Sequence, residues 1–323
     1  MPQPEQPETP THGRNKPAAY RGRFAPSPTG PLHFGSLIAA VGSYLDARHH
    51  GGEWLLRIED IDPPREVPGA ADAILRTLDG FGMHWDGPVV YQSRRDEVYA
   101  GALEELTRKG FLFGCACTRR EIADSAIRSE AGLVYPGTCR GGMPPGRHAR
   151  ALRVRTEQRL IEVVDRLQGK LQQQLDREVG DFIIRRADGL VAYQLAVVVD
   201  DDGQRITHVV RGADLLDSTP RQLYLQQLLE LPTPSYLHLP VAVDAASEKL
   251  SKQTFARDVI ADKDNAALLD VLRFLNQQLP ESPLDASRDE LWQWAIAHWD
   301  PGRIAGSRTL AAPAAYTAKV TKD

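Results

Sequence analysis

The stretch that most limits what this chain can fold into is Arg23-Phe24-Ala25-Pro26-Ser27-Pro28-Thr29-Gly30-Pro31-Leu32-His33-Phe34-Gly35-Ser36. It reads as a short strand from Gly22 to Ala25, a stiff loop, and a helix beginning near Gly35. Prolines fix φ around the turn, and glycines let the backbone pass close to a neighbour. A helix start carries free N–H groups and partial positive charge, which suits a phosphate. Alone, such a segment is only a turn, but its continuation gives it a frame. Leu37, Ile38, Val41, Tyr44 and Leu45 have helical spacing, Gly51-Gly52 ends the helix, and Trp54 to Ile58 follows as a strand. That is a β-α-β unit, so a parallel sheet is expected. Glu59-Asp60-Ile61-Asp62 then falls beyond the strand's carboxyl end, the edge at which open parallel sheets bind ligands.

Further along, residues 68–80 and 94–110 read as amphipathic helices, with the turn His84-Trp85-Asp86-Gly87-Pro88 between them. From 113 to 148 the texture changes to Cys115-Ala116-Cys117, Tyr135-Pro136-Gly137-Thr138-Cys139 and a Gly/Pro/Arg-rich loop. Val191 to Val199 reads as a returning strand, followed by an acidic turn at Asp200-Asp201-Asp202-Gly203. Thr207 to Val210 is a further strand, Thr219-Pro220 starts a helix, and Val241 to Val243 is the last strand. The polar loop Glu248-Lys249-Leu250-Ser251-Lys252-Gln253 follows, and then helices with an apolar face at Leu268, Leu269, Leu272 and Leu275. The expected organisation is therefore α/β. A disordered tail at 1–20 precedes a parallel-sheet domain whose halves are 21–110 and 190–247. A 111–189 stretch is inserted between them, and 248–323 forms a loop and a short helical appendix.

Composition narrows the class. No apolar run reaches the roughly 18 residues of a membrane span, and no signal peptide precedes the first strand. Three cysteines do not make a disulfide framework, so a reducing cytoplasm is expected. A net charge of −4 gives no global field for nucleic acid, although a local basic face can still serve. C-x-C with a later third cysteine is a partial zinc pattern: Cys115, Cys117 and Cys139 would need a fourth ligand, with His148 and Tyr135 as candidates. The competing reading is three small buried cysteines.

His33-Phe34-Gly35-Ser36 and Lys249-Leu250-Ser251-Lys252-Gln253, in this order on this strand framework, resemble the HIGH and KMSKS motifs of class I aminoacyl-tRNA synthetases. Arg23 to Gly30, Arg57-Ile58-Glu59-Asp60 and Thr207 to Asp214 are similar to motifs of the glutamyl-tRNA synthetase family, so the resemblance covers residues 21 to about 255. It implies a Rossmann-type catalytic domain that activates glutamate with ATP and transfers it to a hydroxyl on RNA. Such chemistry needs positioning and cations rather than a covalent nucleophile. By resemblance, Lys252 and His33 are catalytic, and His33, Gly35, Ser36, Lys249 and Lys252 hold ATP, with Mg2+ expected alongside. Arg23, Phe24, Ala25, Pro26, Ser27, Glu59, Tyr193 and Arg211 would form the glutamate pocket: the arginines on carboxylates, Glu59 on the ammonium. The competing reading of Glu59 and Arg211 is an ion pair across the sheet. Two positions depart from the class pattern, Ser36 for the second His and Gln253 for the final Ser.

Cys115, Cys117, Tyr135 and Cys139 match a structural zinc site of one truncated subgroup of that family, with the tyrosine as an oxygen ligand. Only residues 254–323 follow Gln253, which is short for the anticodon-binding region of a full glutamyl-tRNA synthetase. The subgroup it resembles attaches glutamate to the cyclopentenediol of queuosine in the wobble position of tRNA(Asp). Loop bases of RNA are readable in a way that its duplex grooves are not. Arg119, Arg120, Arg140, Arg147 and Arg150 are candidates for phosphate contacts, and a monomer without membrane association is expected. Two other functions remain: a shortened synthetase charging the 3′ end of tRNA(Glu), and a non-catalytic binding module.

Overall fold

The computed structural model describes residues 19–125, 127–129, 132–250 and 265–317. The first eighteen residues of the expected tail, and Ser251, Lys252 and Gln253 of the lysine motif, lie outside the described residues.

The chain begins with β1 (Arg21–Phe24), α1 (Phe34–His49) and β2 (Glu53–Ile58), and β1 and β2 pair in parallel. After α2 (Ala70–Gly80), β3 (Val90–Tyr91) adds in parallel to β2, and α3 (Asp96–Arg108) follows. Next come β4 (Leu112–Cys115), α4 (Arg119–Ser125), a hairpin of β5 (Ile127–Ser129) and β6 (Gly132–Val134), and β7 (Ala151–Val154). The hairpin of β8 (Leu160–Asp165) and β9 (Gly169–Gln174) leads through α5 (Leu175–Glu178) to β10 (Ile183–Arg185). The chain then runs through α6 (Tyr193–Gly203), β11 (His208–Gly212), α7 (Thr219–Leu228), β12 (Ser235–Leu239) and β13 (Val241–Val243). It closes with α8 (Ala266–Phe274), α9 (Arg288–Ala297) and β14 (Thr309–Ala311).

β1-β2-β3 is wholly parallel, whereas the second sheet, β11-β12-β8-β9, is mixed because β9 runs antiparallel to β8. An all-parallel sheet was the expectation; the hairpin turn at Gly169 is what brings in the antiparallel strand. The two sheets meet where the Thr207 N–H donates to the Arg21 carbonyl and the Arg21 N–H to Thr207 Oγ1. β4, β7 and β10 form a separate antiparallel sheet.

α1 underlies this junction and is buried on most of its circumference. Its close approach to β12 requires a glycine at 42, since a Cβ there would sit 2.4 Å from Leu239 Cδ1. Leu37, Ile38, Val41 and Leu45 of α1 share one core with Leu56 of β2 and with Leu268, Leu272, Leu291 and Trp292 of α8 and α9. Each such side chain contributes roughly 1.5–3 kcal/mol of burial. Residues 265–317 are thus more than a helical appendix: they complete the first core and add β14 in parallel to β13, so Val241–Val243 is not the last strand.

The second core lies under α3, α6, α7 and β11 and includes Tyr99, Leu106, Leu195, Val198, Val209, Leu223 and Leu225. Here a sequence expectation fails. Val191–Val199 is not a strand; Tyr193–Gly203 is helix α6, and the acidic triplet is its last turn rather than a loop. Every residue from Leu195 to Asp201 is buried, so the segment shows no helical stripe, and its valine run imitates a strand.

Candidate active site

A cleft of about 570 Å3 opens where β1, β2, β11 and β12 end. Arg23, Phe24, Ala25, Pro26, Ser27, His33, Gly35, Ser36, Glu59, Tyr193, Arg211 and Lys249 all line it, although they come from six separate parts of the sequence. The sheet explains this convergence: parallel strands put their carboxyl ends on one edge, and loops leaving that edge face each other. The Glu59 N–H donates to the Pro26 carbonyl at 3.0 Å, which ties the proline loop to the end of β2.

Beneath the cleft lies a charge cluster. Arg23 grips Asp201 with Nε and Nη2, at 3.1 and 3.3 Å. Arg57, fully buried, reaches Asp201 at 2.8 Å, Glu59 at 3.2 Å and Asp200 at 3.8 Å. Asp200 also accepts from Gln92, Arg95 and Tyr99. Burial pushes the Glu59 carboxyl up in pKa, against the pull of Arg57 and Arg23. Burial, aided by Glu59, pushes the Tyr193 phenol up to about 12, so it remains a hydroxyl donor at neutral pH. The ion pair of Glu59 is with Arg57, not with Arg211. Arg211 instead donates to His238, Thr219 and Gln222 and leaves Nη1 without a partner among the described residues. Asp201 and His238 were missed by the sequence reading: the first was assigned to a loop, and the second stands in an apolar strand with no local signal.

At the start of α1, His33 is the N-cap and accepts from the Ser36 N–H through Nδ1 at 3.3 Å, while Ser36 Oγ lies 3.1 Å from its Nε2. Ser36 therefore has a structural place of its own, orienting the imidazole from one turn along. A Cβ at Gly35 would crowd the His33 ring at 3.1 Å and touch the Leu250 carbonyl at 3.4 Å, so the glycine leaves room for the imidazole. Lys249 Nζ meets Asp214 Oδ2 at 2.5 Å, so the lysine loop begins pinned to the segment after β11. Lys252 lies outside the described residues.

In the 111–139 region, the Cys115, Cys117 and Cys139 sulfurs lie within 4.8 Å of one another, a grouping able to hold a metal ion. Tyr135 Oη is 3.5 Å from Cys115 Sγ and 3.7 Å from Cys117 Sγ, and Cys117 Sγ is 3.6 Å from Cys139 Sγ. Tetrahedral zinc with Zn–S near 2.3 Å separates its ligands by roughly 3.5–3.8 Å, the range of these three separations. His148, the other candidate, is not in the group. Arg153 stacks 3.8 Å over the Tyr135 ring. Against burial, the Tyr135 hydroxyl and Arg153 bring the Cys115 thiol down to about 7. Of the five arginines named above, Arg140 is engaged with Asp181 and Arg147 with Glu121. Arg119 and Arg150 line a second cleft of about 580 Å3 beside Cys117. No helix among the described residues is long and apolar enough to cross a membrane.

Comparison with known proteins agrees with this geometry. The family described as tRNA synthetases class I (E and Q), catalytic domain, matches residues 19–276. A protein of Dechloromonas aromatica is 62% identical over 282 residues, which span 87% of this chain and 94% of that one. One of Aromatoleum aromaticum is 55% identical over 304 residues, spanning 94% and 96%. Both are named glutamyl-Q tRNA(Asp) synthetase. The crystal structure of a glutamate tRNA ligase from Elizabethkingia meningosepticum, in complex with its amino acid, superposes with a TM-score of 0.74 at 25% identity, covering 92% of this chain and 67% of that one. The chain belongs to the class I glutamyl- and glutaminyl-tRNA synthetase family, and within it to the glutamyl-Q tRNA(Asp) synthetase group.

Proposed function

We propose that this protein is a ligase that activates L-glutamate with ATP and transfers it to the queuosine cyclopentenediol in the anticodon wobble position of tRNA(Asp). The observation that carries the reading is the single cleft in which two buried arginines, Glu59 and Tyr193 face a helix start. Arg23 and Arg211 are suited to the substrate carboxylates and Glu59 to the ammonium. His33 and the N–H groups at the start of α1 suit the phosphates. In the first step, an α-carboxylate oxygen attacks the α-phosphorus of ATP and the bond to pyrophosphate breaks, giving glutamyl-adenylate. In the second, a queuosine hydroxyl attacks the activated carbonyl and AMP leaves. Mg2+ is taken to come with ATP as part of that substrate. The chain's contribution is to hold the reactants in line and place cations against the departing charge. An RNA substrate, together with three unpaired thiols, is in keeping with the cytoplasm.

Incubation with ATP, labelled glutamate and tRNA(Asp) with or without queuosine tests the reading. Label is expected only on the queuosine-bearing tRNA; label on tRNA(Glu) would make the protein a shortened glutamyl-tRNA synthetase, and absence of adenylate would make it a binding module. Lys252→Ala is expected to slow ATP–pyrophosphate exchange by about a hundredfold, the usual effect of losing a donor to developing charge. Near-normal exchange would remove Lys252 from the site.

The tetrad of Cys115, Cys117, Tyr135 and Cys139 is proposed to hold zinc, which when bound would staple the β4 end to the loop after β6. Arg119 and Arg150 at the neighbouring cleft are proposed to meet RNA phosphates. Protein purified without chelator is expected to contain about one zinc per chain by elemental analysis, and Cys117→Ser to lower that stoichiometry. A metal-free preparation would refute the assignment.

A further inference from the structure

Arg211 offers five N–H donors, and the protein uses only part of them. Nε donates to His238 Nε2 at 2.9 Å, and Nη2 donates to Thr219 Oγ1 at 2.9 Å and Gln222 Oε1 at 2.8 Å. Nη1 is buried and has no partner among the described residues, in a side chain that is 5% exposed and lines the cleft. A guanidinium can only donate, so His238 Nε2 must be unprotonated to accept from it. The remaining ring proton then sits on Nδ1, which faces Asp165 Oδ2 at 2.6 Å. Asp165 cannot turn away, because its Oδ1 accepts from the Leu167, Gln168 and His238 backbone N–H groups at 3.0, 2.8 and 3.2 Å. His238 is fully buried and Asp165 nearly so. Burial, then Arg211, brings the imidazole pKa down to about 4 against the pull of Asp165, in keeping with a neutral ring.

We propose that Asp165 and His238 are positioning residues for substrate recognition, fixing Arg211 by its Nε so that Nη1 is left for the side-chain carboxylate of glutamate. The inference rests on the reading of the cleft as a glutamate site. Asp165 sets the His238 tautomer, the tautomer sets the acceptor, and the acceptor sets the guanidinium plane. Neither residue touches substrate. The arrangement also bears on selectivity. A charged fork that lines the cleft with one nitrogen left over gains more from a carboxylate than from an amide, so glutamate is favoured over glutamine.

The isosteric variant Asp165→Asn tests this with least disturbance. The three backbone donors keep the oxygen of the introduced amide in place of Oδ1, so its nitrogen faces His238 Nδ1 and donates to it. The ring proton is driven to Nε2, where it opposes the Arg211 Nε–H. In ATP–pyrophosphate exchange, the glutamate KM of Asp165→Asn is expected to rise about tenfold or more, the size of one lost charge-assisted hydrogen bond, while the ATP KM stays within about twofold. His238→Leu should behave alike and lower the preference for glutamate over glutamine by a similar factor. His238→Gln, whose amide oxygen can stand where Nε2 stood, should restore the glutamate KM to within about threefold of the parent, since an acceptor is again present. Thermal melts show which variants are folded. An unchanged glutamate KM in folded Asp165→Asn overturns the positioning role and leaves the glutamate reading intact. A parent enzyme that performs no glutamate-dependent exchange overturns both.

Discussion

An Arg211→Leu variant is expected to raise the glutamate KM in ATP–pyrophosphate exchange about a thousandfold, leaving the ATP KM near that of the parent. The magnitude follows from two charge-assisted hydrogen bonds at roughly 2 kcal/mol each, at about 1.4 kcal/mol per tenfold. Arg211 lies in β11 and lines the cleft with Glu59, Arg23 and Tyr193, and its buried Nη1 has no partner among the described residues. Arg23 is fixed in its own place by the bonds of its Nε and Nη2 to Asp201, so it does not move across to the position that Arg211 leaves. A lysine at 211 would restore charge without the planar fork, so Arg211→Lys should remain strongly impaired. A glutamate KM within tenfold of the parent in folded Arg211→Leu would move the side-chain carboxylate elsewhere in the cleft.

The largest effect on stability is expected from Arg57→Leu. Arg57 is fully buried among Glu59, Asp200 and Asp201. Removing one partner from a buried ionic cluster costs about 3–5 kcal/mol, since carboxylates are left uncompensated in a poor solvent for charge. For a chain of this size that corresponds to a fall in Tm of roughly 10 °C. The sign of the pH dependence is diagnostic. Without the guanidinium, the Glu59 carboxyl, already pushed up by burial, rises further above its unfolded value, and Asp201 loses one of the two arginines that hold its carboxyl down. The folded variant then binds more protons than the unfolded chain, and its stability falls as pH rises. The deficit relative to the parent should therefore be smaller at about pH 5.5 than at about pH 7.5. A deficit independent of pH would mean that packing, not charge, is what Arg57 provides.

Much of the cleft was legible because its parts are local. The strand, proline loop and helix start from Arg23 to Ser36, and the end of β2 at Glu59, follow from periodicity and turn chemistry, and the structure brings them to one edge. What could not be read was set by tertiary burial. α6 lacks a polar face, so its residues have no period to reveal a helix, and Asp200 and Asp201 look like loop acids until three arginines gather round them. Asp165, His238 and Arg211 come from three strands, and no spacing in sequence predicts that they form one chain of hydrogen bonds. The cysteine cluster was half legible: the sulfurs have a recognisable spacing, but the choice of Tyr135 over His148 needed the family resemblance, and in the structure the Tyr135 hydroxyl lies 3.5 Å from Cys115 Sγ.

The packing of α8 and α9 against α1 bears on how modular this protein is. The family match stops at residue 276, in the middle of a shared interior: Trp292 Nε1 donates to the Phe81 carbonyl, and Trp299 Nε1 to Asp46. The boundary of the family pattern is therefore not a boundary of folding. The helix whose first turn lines the cleft rests along its length on residues that the family pattern does not include, and those last segments are part of the foundation of the cleft.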